Sequence, residues 1–165
     1  MKYNEIIETL NYELNEASLN VDFVHNGLEQ VFLYLNGKEL EEVEEEELET
    51  RYDRRKSFYE KARIQTCRAD FVGSPLEQSV EVYLLRSYGK AIAAVLQWYD
   101  LEERRWYDIA ITTGTWSATS NRHEAEFFKW FINGAKGNNL TGNTTDTCSE
   151  LRKYLKKYRQ LITIE

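Results

Sequence analysis

The chain has 165 residues, 42% apolar and 30% charged, with one Pro and eight Gly. That length and mix fit one domain with a core and a well-solvated surface, and exclude a disordered, collagen-like or linker-rich chain. The 21 bases against 28 acids give a net charge of −7, which disfavours general adhesion to nucleic acid.

The charge is uneven. Residues 39–49 hold eight Glu and no base. Without them, 21 bases face 20 acids. Residues 51–68 carry seven bases against Asp53 and Glu60, and the tail is basic at Arg152, Lys153, Lys156, Lys157 and Arg159. The expected surface is dipolar.

No run reaches the roughly 18–20 apolar residues that span a bilayer. Ala91–Leu96 has the length of a buried strand. The first five residues lack the order of a secretion signal. A cytoplasmic location is expected, and there Cys67 and Cys148 read as two free thiols.

In chain order, residues 3–17 read as a helix, with Ile6, Ile7, Leu10 and Leu14 at helical spacing. Residues 20–25 and 31–35 read as strands, because Asn26-Gly27 and Asn36-Gly37 suit tight hairpin turns. Residues 39–67 read as one acidic-then-basic helix, with Glu47 and Arg51 four apart. Gly73-Ser74-Pro75 breaks the chain. Residues 80–86, 90–99 and 105–112 form an antiparallel meander. Asn121 is the expected N-cap of a helix carrying Phe127, Phe128 and Phe131, with Glu124 three residues on. Thr147 and Glu150 cap a last helix. The fold class is α+β, an antiparallel sheet of about five to six strands packed by about four helices. Residues 1–165 read as a single domain with room for an internal boundary near 70–76. The N-terminal helix, hairpin and acidic helix lie before it, and the meander and two helices after it.

No phosphate loop, dinucleotide fingerprint, CxxC, HExxH or GxSxG occurs. Neither a cofactor nor a metal site is expected, and no catalytic residue is assigned. His123, near Ser117, Thr119 and Ser120, would need a nucleophile and an orienting group to act as a base. A helix-start His held by a hydroxyl is the plainer reading of it.

Two features suit a partner. Trp98-Tyr99 and Trp106-Tyr107 stand on facing strands around Arg104 and Arg105. Tyr99 and Trp106 are expected in the core, leaving Trp98, Tyr107 and Trp116 as exposed anchors. The second feature is Glu41, Glu42, Glu44, Glu45, Glu46 and Glu47. A row of carboxylates on a rigid element imitates a phosphate ladder and fits a basic nucleic-acid channel. A solvated helix face is the plainer reading of the same charge.

The segment Ser87-Tyr88-Gly89-Lys90-Ala91-Ile92-Ala93, a strand pair, and then Trp116-Ser117-Ala118-Thr119-Ser120-Asn121-Arg122-His123 with Phe127 resembles a small domain of phage and mobile-element proteins of unknown function. The resemblance covers residues 85–131. Lys90, Trp116 and Ser120 depart from that pattern, which has Thr, Tyr and Thr there. It implies a packed hairpin and a capped helix, with Thr119 and His123 tying the helix start to the sheet. By analogy with small acidic phage proteins, including anti-CRISPR proteins, the expected function is to bind and inhibit a host defence protein in the bacterial cytoplasm, a CRISPR nuclease being one candidate. The expected partner surface is Glu41, Glu42, Glu44–Glu47, Trp98 and Tyr107, with no membrane and no direct nucleic-acid contact. The alternative is a nucleic-acid-associated phage accessory protein.

Overall fold

The computed structural model describes residues 2–37, 40–71, 76, 78–114, 117–132, 148–158 and 160–165, and of Glu42 and Val43 the backbone alone. The elements run α1 (Tyr3–Ser18), α2 (Phe23–Asn26), α3 (Glu29–Asn36), β1 (Glu41–Glu47), β2 (Ala62–Asp70), β3 (Ser79–Ser87), β4 (Lys90–Asp100), β5 (Arg105–Thr112), α4 (Ala118–Phe131), α5 (Cys148–Lys157) and β6 (Leu161–Thr163). This is an α+β architecture. Its six strands lie in the order β1-β2-β3-β4-β5-β6. All neighbours are antiparallel except β5 and β6, which are parallel.

Helices cover both faces of the sheet, and each face has its own core. Leu10, Leu14 and Phe32 pack against Val82, Leu84, Leu96 and Ile111 on one side. Phe127, Phe128, Leu151 and Leu155 pack against Ile64, Leu85, Val95 and Ala110 on the other. A strand buried on both faces has no polar alternation, which accounts for the unbroken apolar run Ala91–Leu96 in β4. Leu85 pairs with Ala93 and Arg86 with Ala91, so Ile92 is the extra residue of a bulge. Ile92 and Ala93 therefore both enter the α4 and α5 core. Tyr88 (φ 54°) and Gly89 (φ 83°) make the two-residue turn from β3 to β4.

Helix α1 and strands β3, β4 and β5 fall where their spacing puts them. Three expectations are corrected. Residues 20–25 and 31–35 are not strands. Leu28, Val31, Phe32 and Leu35 recur at helical spacing and enter the first core. Gly37 closes α3 in the left-handed region at φ 70°. Helix ends and hairpin turns make the same demand for positive φ, so Asn-Gly does not tell them apart.

The acidic helix over 39–67 is instead strand β1, a loop, and strand β2. A helix would stack like charges at 41/45, 42/46 and 45/49, each pair costing about 0.2–0.5 kcal/mol. A strand sends alternate residues to opposite faces, and β1 also completes the hydrogen bonding of β2 through pairs such as Glu46 with Ile64. The third correction concerns α4, which starts four residues early. Ser117, not Asn121, is its N-cap and accepts the Ser120 amide at 3.2 Å. Strand β6, on which no expectation bears, carries no sequence pattern long enough to read and adds the one parallel pair among the described strands. Gly73-Ser74-Pro75 and Thr147 lie outside the described residues. Strand β2, before the 70–76 boundary, pairs along its whole length with β3, after it.

Candidate functional site

Strand β1 is the first in the sheet order and has one paired neighbour, β2. Glu41, Glu44, Glu45 and Glu46 are exposed, and Glu47 is half-buried. The pairs Glu44 with Thr66 and Glu46 with Ile64 share one face of the sheet, while Glu45 with Gln65 and Glu47 with Arg63 share the other. Carboxylates therefore project on both sides of the edge. The Arg63 Nε donates to Glu45 at 2.9 Å, and Arg68 stands opposite Glu41. Glu47 accepts the Glu60 amide at 3.2 Å. Glu44 and Glu46 take part in no ion pair among the described residues. Arg63 thus neutralises Glu45, in the middle of the row, and leaves Glu44 and Glu46 on either side of it outside any ion pair among the described residues.

The chain leaving β1 is fastened to α4. Leu48 is buried and donates its amide to Ala62 at 2.9 Å. The buried Glu126 carboxylate accepts the amides of Arg51 and of Tyr52, the latter at 2.8 Å. Trp130 Nε1 donates to the Glu49 carbonyl at 3.1 Å. Arg122 grips Asp53 with two bonds of 2.7 and 3.0 Å. Burial alone would raise the Asp53 carboxyl. The Arg122 guanidinium and the Arg55 amide outweigh it and hold the group below the usual carboxylate range. The acidic edge is thus set before any partner arrives.

Ser87, at the end of β3, meets α4 at His123. Its hydroxyl lies 2.8 Å from His123 Nδ1 and 2.9 Å from Ser120 Oγ. The imidazole packs edge-on to Phe58 at 4.4 Å and tilts over Tyr88 at 5.7 Å. Burial, helped by the nearby Arg55 charge, pushes its pKa down to about 4, so the ring is neutral at pH 7. The Ser87–His123 pair has the residue types of a nucleophile and its base. Both members are buried, and neither lines the cavity described below.

Next to His123 on α4, Glu124 is fully buried. Its carboxylate accepts from Thr112 Oγ1 at 2.6 Å, Cys148 Sγ at 2.6 Å and Arg152 Nε at 2.8 Å. Burial pushes this carboxyl up against the pull of Arg152, and burial beside it pushes the Cys148 thiol far up. Cys67 and Cys148 are both buried thiols. Arg152 also donates to the Gly114 carbonyl at 2.6 Å, which locks α5 to the end of β5. Beside this network, a half-open cavity of about 690 Å³ lies between α4, α5 and β6.

The aromatic pairs are placed the other way round from the expectation. Trp98 is 3% exposed and packs against Phe71, so it is no anchor. Trp106 is 64% exposed and leans on Tyr99 at 5.1 Å. Tyr107 is half-buried and stacks on Tyr3 at 3.9 Å, with Arg105 over its other side. Trp116 lies outside the described residues. Sequence reasoning missed Glu124, Lys129 and Arg152. The available signal was the row Arg152, Lys153 and Lys156 opposite the apolar stripe Leu151 and Leu155 on α5.

Among the described residues no helix is long and apolar enough to cross a membrane, and no group of side chains is set to hold a metal ion. Comparison with protein families, curated proteins and solved structures finds no match to this chain.

Proposed function

We propose that this chain is a binding protein and not an enzyme, and that its docking face is the acidic edge formed by β1. The observation that carries the proposal is the exposure of Glu41, Glu44, Glu45 and Glu46 on a strand paired inside the sheet and pinned behind by α4. A pre-set face loses little conformational entropy when it docks. Clustered charge of one sign steers a partner of the other sign and fixes its orientation. The glutamates also repel a strand of like charge, which keeps the edge from pairing with the same edge of a second copy.

The partner that fits is a basic protein surface built for a phosphate backbone. The resemblance over residues 85–131 supports placing the chain in a phage or mobile element, acting in the host cytoplasm. A host defence nuclease, a CRISPR effector among them, has both the required surface and the required location. The test is to capture the partner from host extract, then measure its cleavage rate with added chain and rising duplex DNA. Inhibition that excess duplex relieves is the expected result. A captured partner that cleaves at an unchanged rate overturns inhibition, and capture that duplex DNA does not reverse overturns the channel.

A second reading rests on the tip of the β4–β5 hairpin. Trp106 on Tyr99, with exposed Arg104 and Arg105, suits stacking on unpaired bases. It requires single-strand binding that weakens steeply with salt. A flat salt titration removes it.

A further inference from the structure

The cavity between α4 and α5 is cationic beyond what its own pairs consume. Arg122, Lys129, Arg152, Lys153 and Lys156 line it, against the carboxylates of Asp53 and Glu126. Arg122 is matched to Asp53 and Arg152 to Glu124. Glu126 is engaged by the Arg51 and Tyr52 amides and the Trp130 indole. Lys129, Lys153 and Lys156 enter no ion pair among the described residues.

Lys129 is 7% exposed. Its stem is largely covered while the residue lines the cavity, so an anion entering there is placed to meet its charge. The volume falls within the range of sites for small molecules, roughly 300–1,000 Å³. Ala118, Ala125 and Leu161 supply an apolar part of the lining. A single carboxylate would answer one ammonium. A chain of phosphates answers three, and leaves the rest of the molecule for the apolar lining.

We propose that this cavity binds a small polyphosphate-bearing molecule of nucleoside triphosphate size, its phosphates held by Lys129, Lys153 and Lys156. Cavity and acidic edge lie on different elements, so the failure of either site leaves the other standing.

The test is calorimetric titration of the whole chain with ATP and with inorganic tripolyphosphate. Both bind with one site per chain, and ATP binds more tightly because of the apolar lining. Lys129→Gln weakens each by at least about tenfold, the factor expected for loss of one charge-assisted contact. The pair Lys153→Gln and Lys156→Gln, at exposed positions that leave folding intact, does the same. Lys2→Gln, exposed beside α1 on the other face of the sheet, changes neither. No binding of either probe at millimolar concentration overturns the proposal, as does unchanged affinity in the Lys153→Gln, Lys156→Gln variant. A single-stranded oligonucleotide that binds more tightly than ATP through the same lysines also overturns it, and reassigns the groove to nucleic acid.

Discussion

The His123 imidazole and the Ser87 hydroxyl, 36 residues apart in sequence, meet at 2.8 Å inside the protein. They join the first turns of α4 to the end of β3. The resemblance over residues 85–131 implies such a tie, and names Thr119 beside His123. In the structure Ser120 stands at that place, 2.9 Å from Ser87.

The burial of His123 makes stability depend on pH. His123 titrates near 4 when folded and near 6.5 when unfolded. Below 6.5 the unfolded chain takes up the proton first, so stability falls as pH drops from 6.5 to 4 and then levels off. The full loss from this one group is about 3 kcal/mol. Urea unfolding of wild type and His123→Asn across pH 7.5 to 4 measures it. The wild type is expected to lose stability more steeply than the variant over that window. Parallel curves would contradict the assignment.

Glu124 and Arg152 form the buried ion pair that holds α5. Removing one partner leaves the other charge buried and uncompensated, at a cost of about 3–5 kcal/mol. Glu124→Ala is therefore expected to lower the unfolding midpoint sharply, and more than Asp53→Ala, whose Arg122 partner is partly exposed. Equal midpoints for the two variants would contradict this ranking.

Cys148 donates to Glu124 in an environment that keeps its thiol protonated, and Cys67 is equally buried. Thiolate is the reactive form. Neither cysteine should react with iodoacetamide in the folded protein at pH 8, and both should react in denaturant. Rapid labelling of the native chain would show that the α4–α5 contact opens.

Trp98 and Trp106 separate packing from surface. Trp98→Ala removes a buried ring and should cost about 3–5 kcal/mol. Trp106→Ala removes an exposed one and should stay within about 0.5–1 kcal/mol. Thermal unfolding of the two variants is the measurement. The opposite ranking would mean that the hairpin faces are reversed.

These residues also show how much the sequence carries. The strands 80–86, 90–99 and 105–112 are legible because their β-branched and aromatic content and short joints act locally. The facing of Trp98 is not. It depends on the bulge at Ile92 and on which face the N-terminal helices cover, and both are tertiary facts. Residues 20–36 mislead because a positive-φ glycine closes a helix as readily as a hairpin. The glutamates mislead because helix propensity is worth tenths of a kcal/mol per residue, less than completing the edge of a sheet. The acidic cluster as a candidate site was readable from charge alone. The α4–α5 cavity was not, since its lysines come from two helices that only folding brings together.

The most direct measurement is the affinity of the captured partner for three forms of this chain: wild type, an edge variant (Glu41→Lys, Glu44→Lys, Glu45→Lys, Glu46→Lys), and a control with the same kind of reversal on α1 (Glu8→Lys, Glu16→Lys). All six positions are exposed, so folding should survive in each. The edge variant is expected to lose at least about a hundredfold in affinity, a few kcal/mol of complementary charge, while the control stays close to wild type. Full affinity in the edge variant, or equal losses in both, would contradict the acidic edge as the docking face.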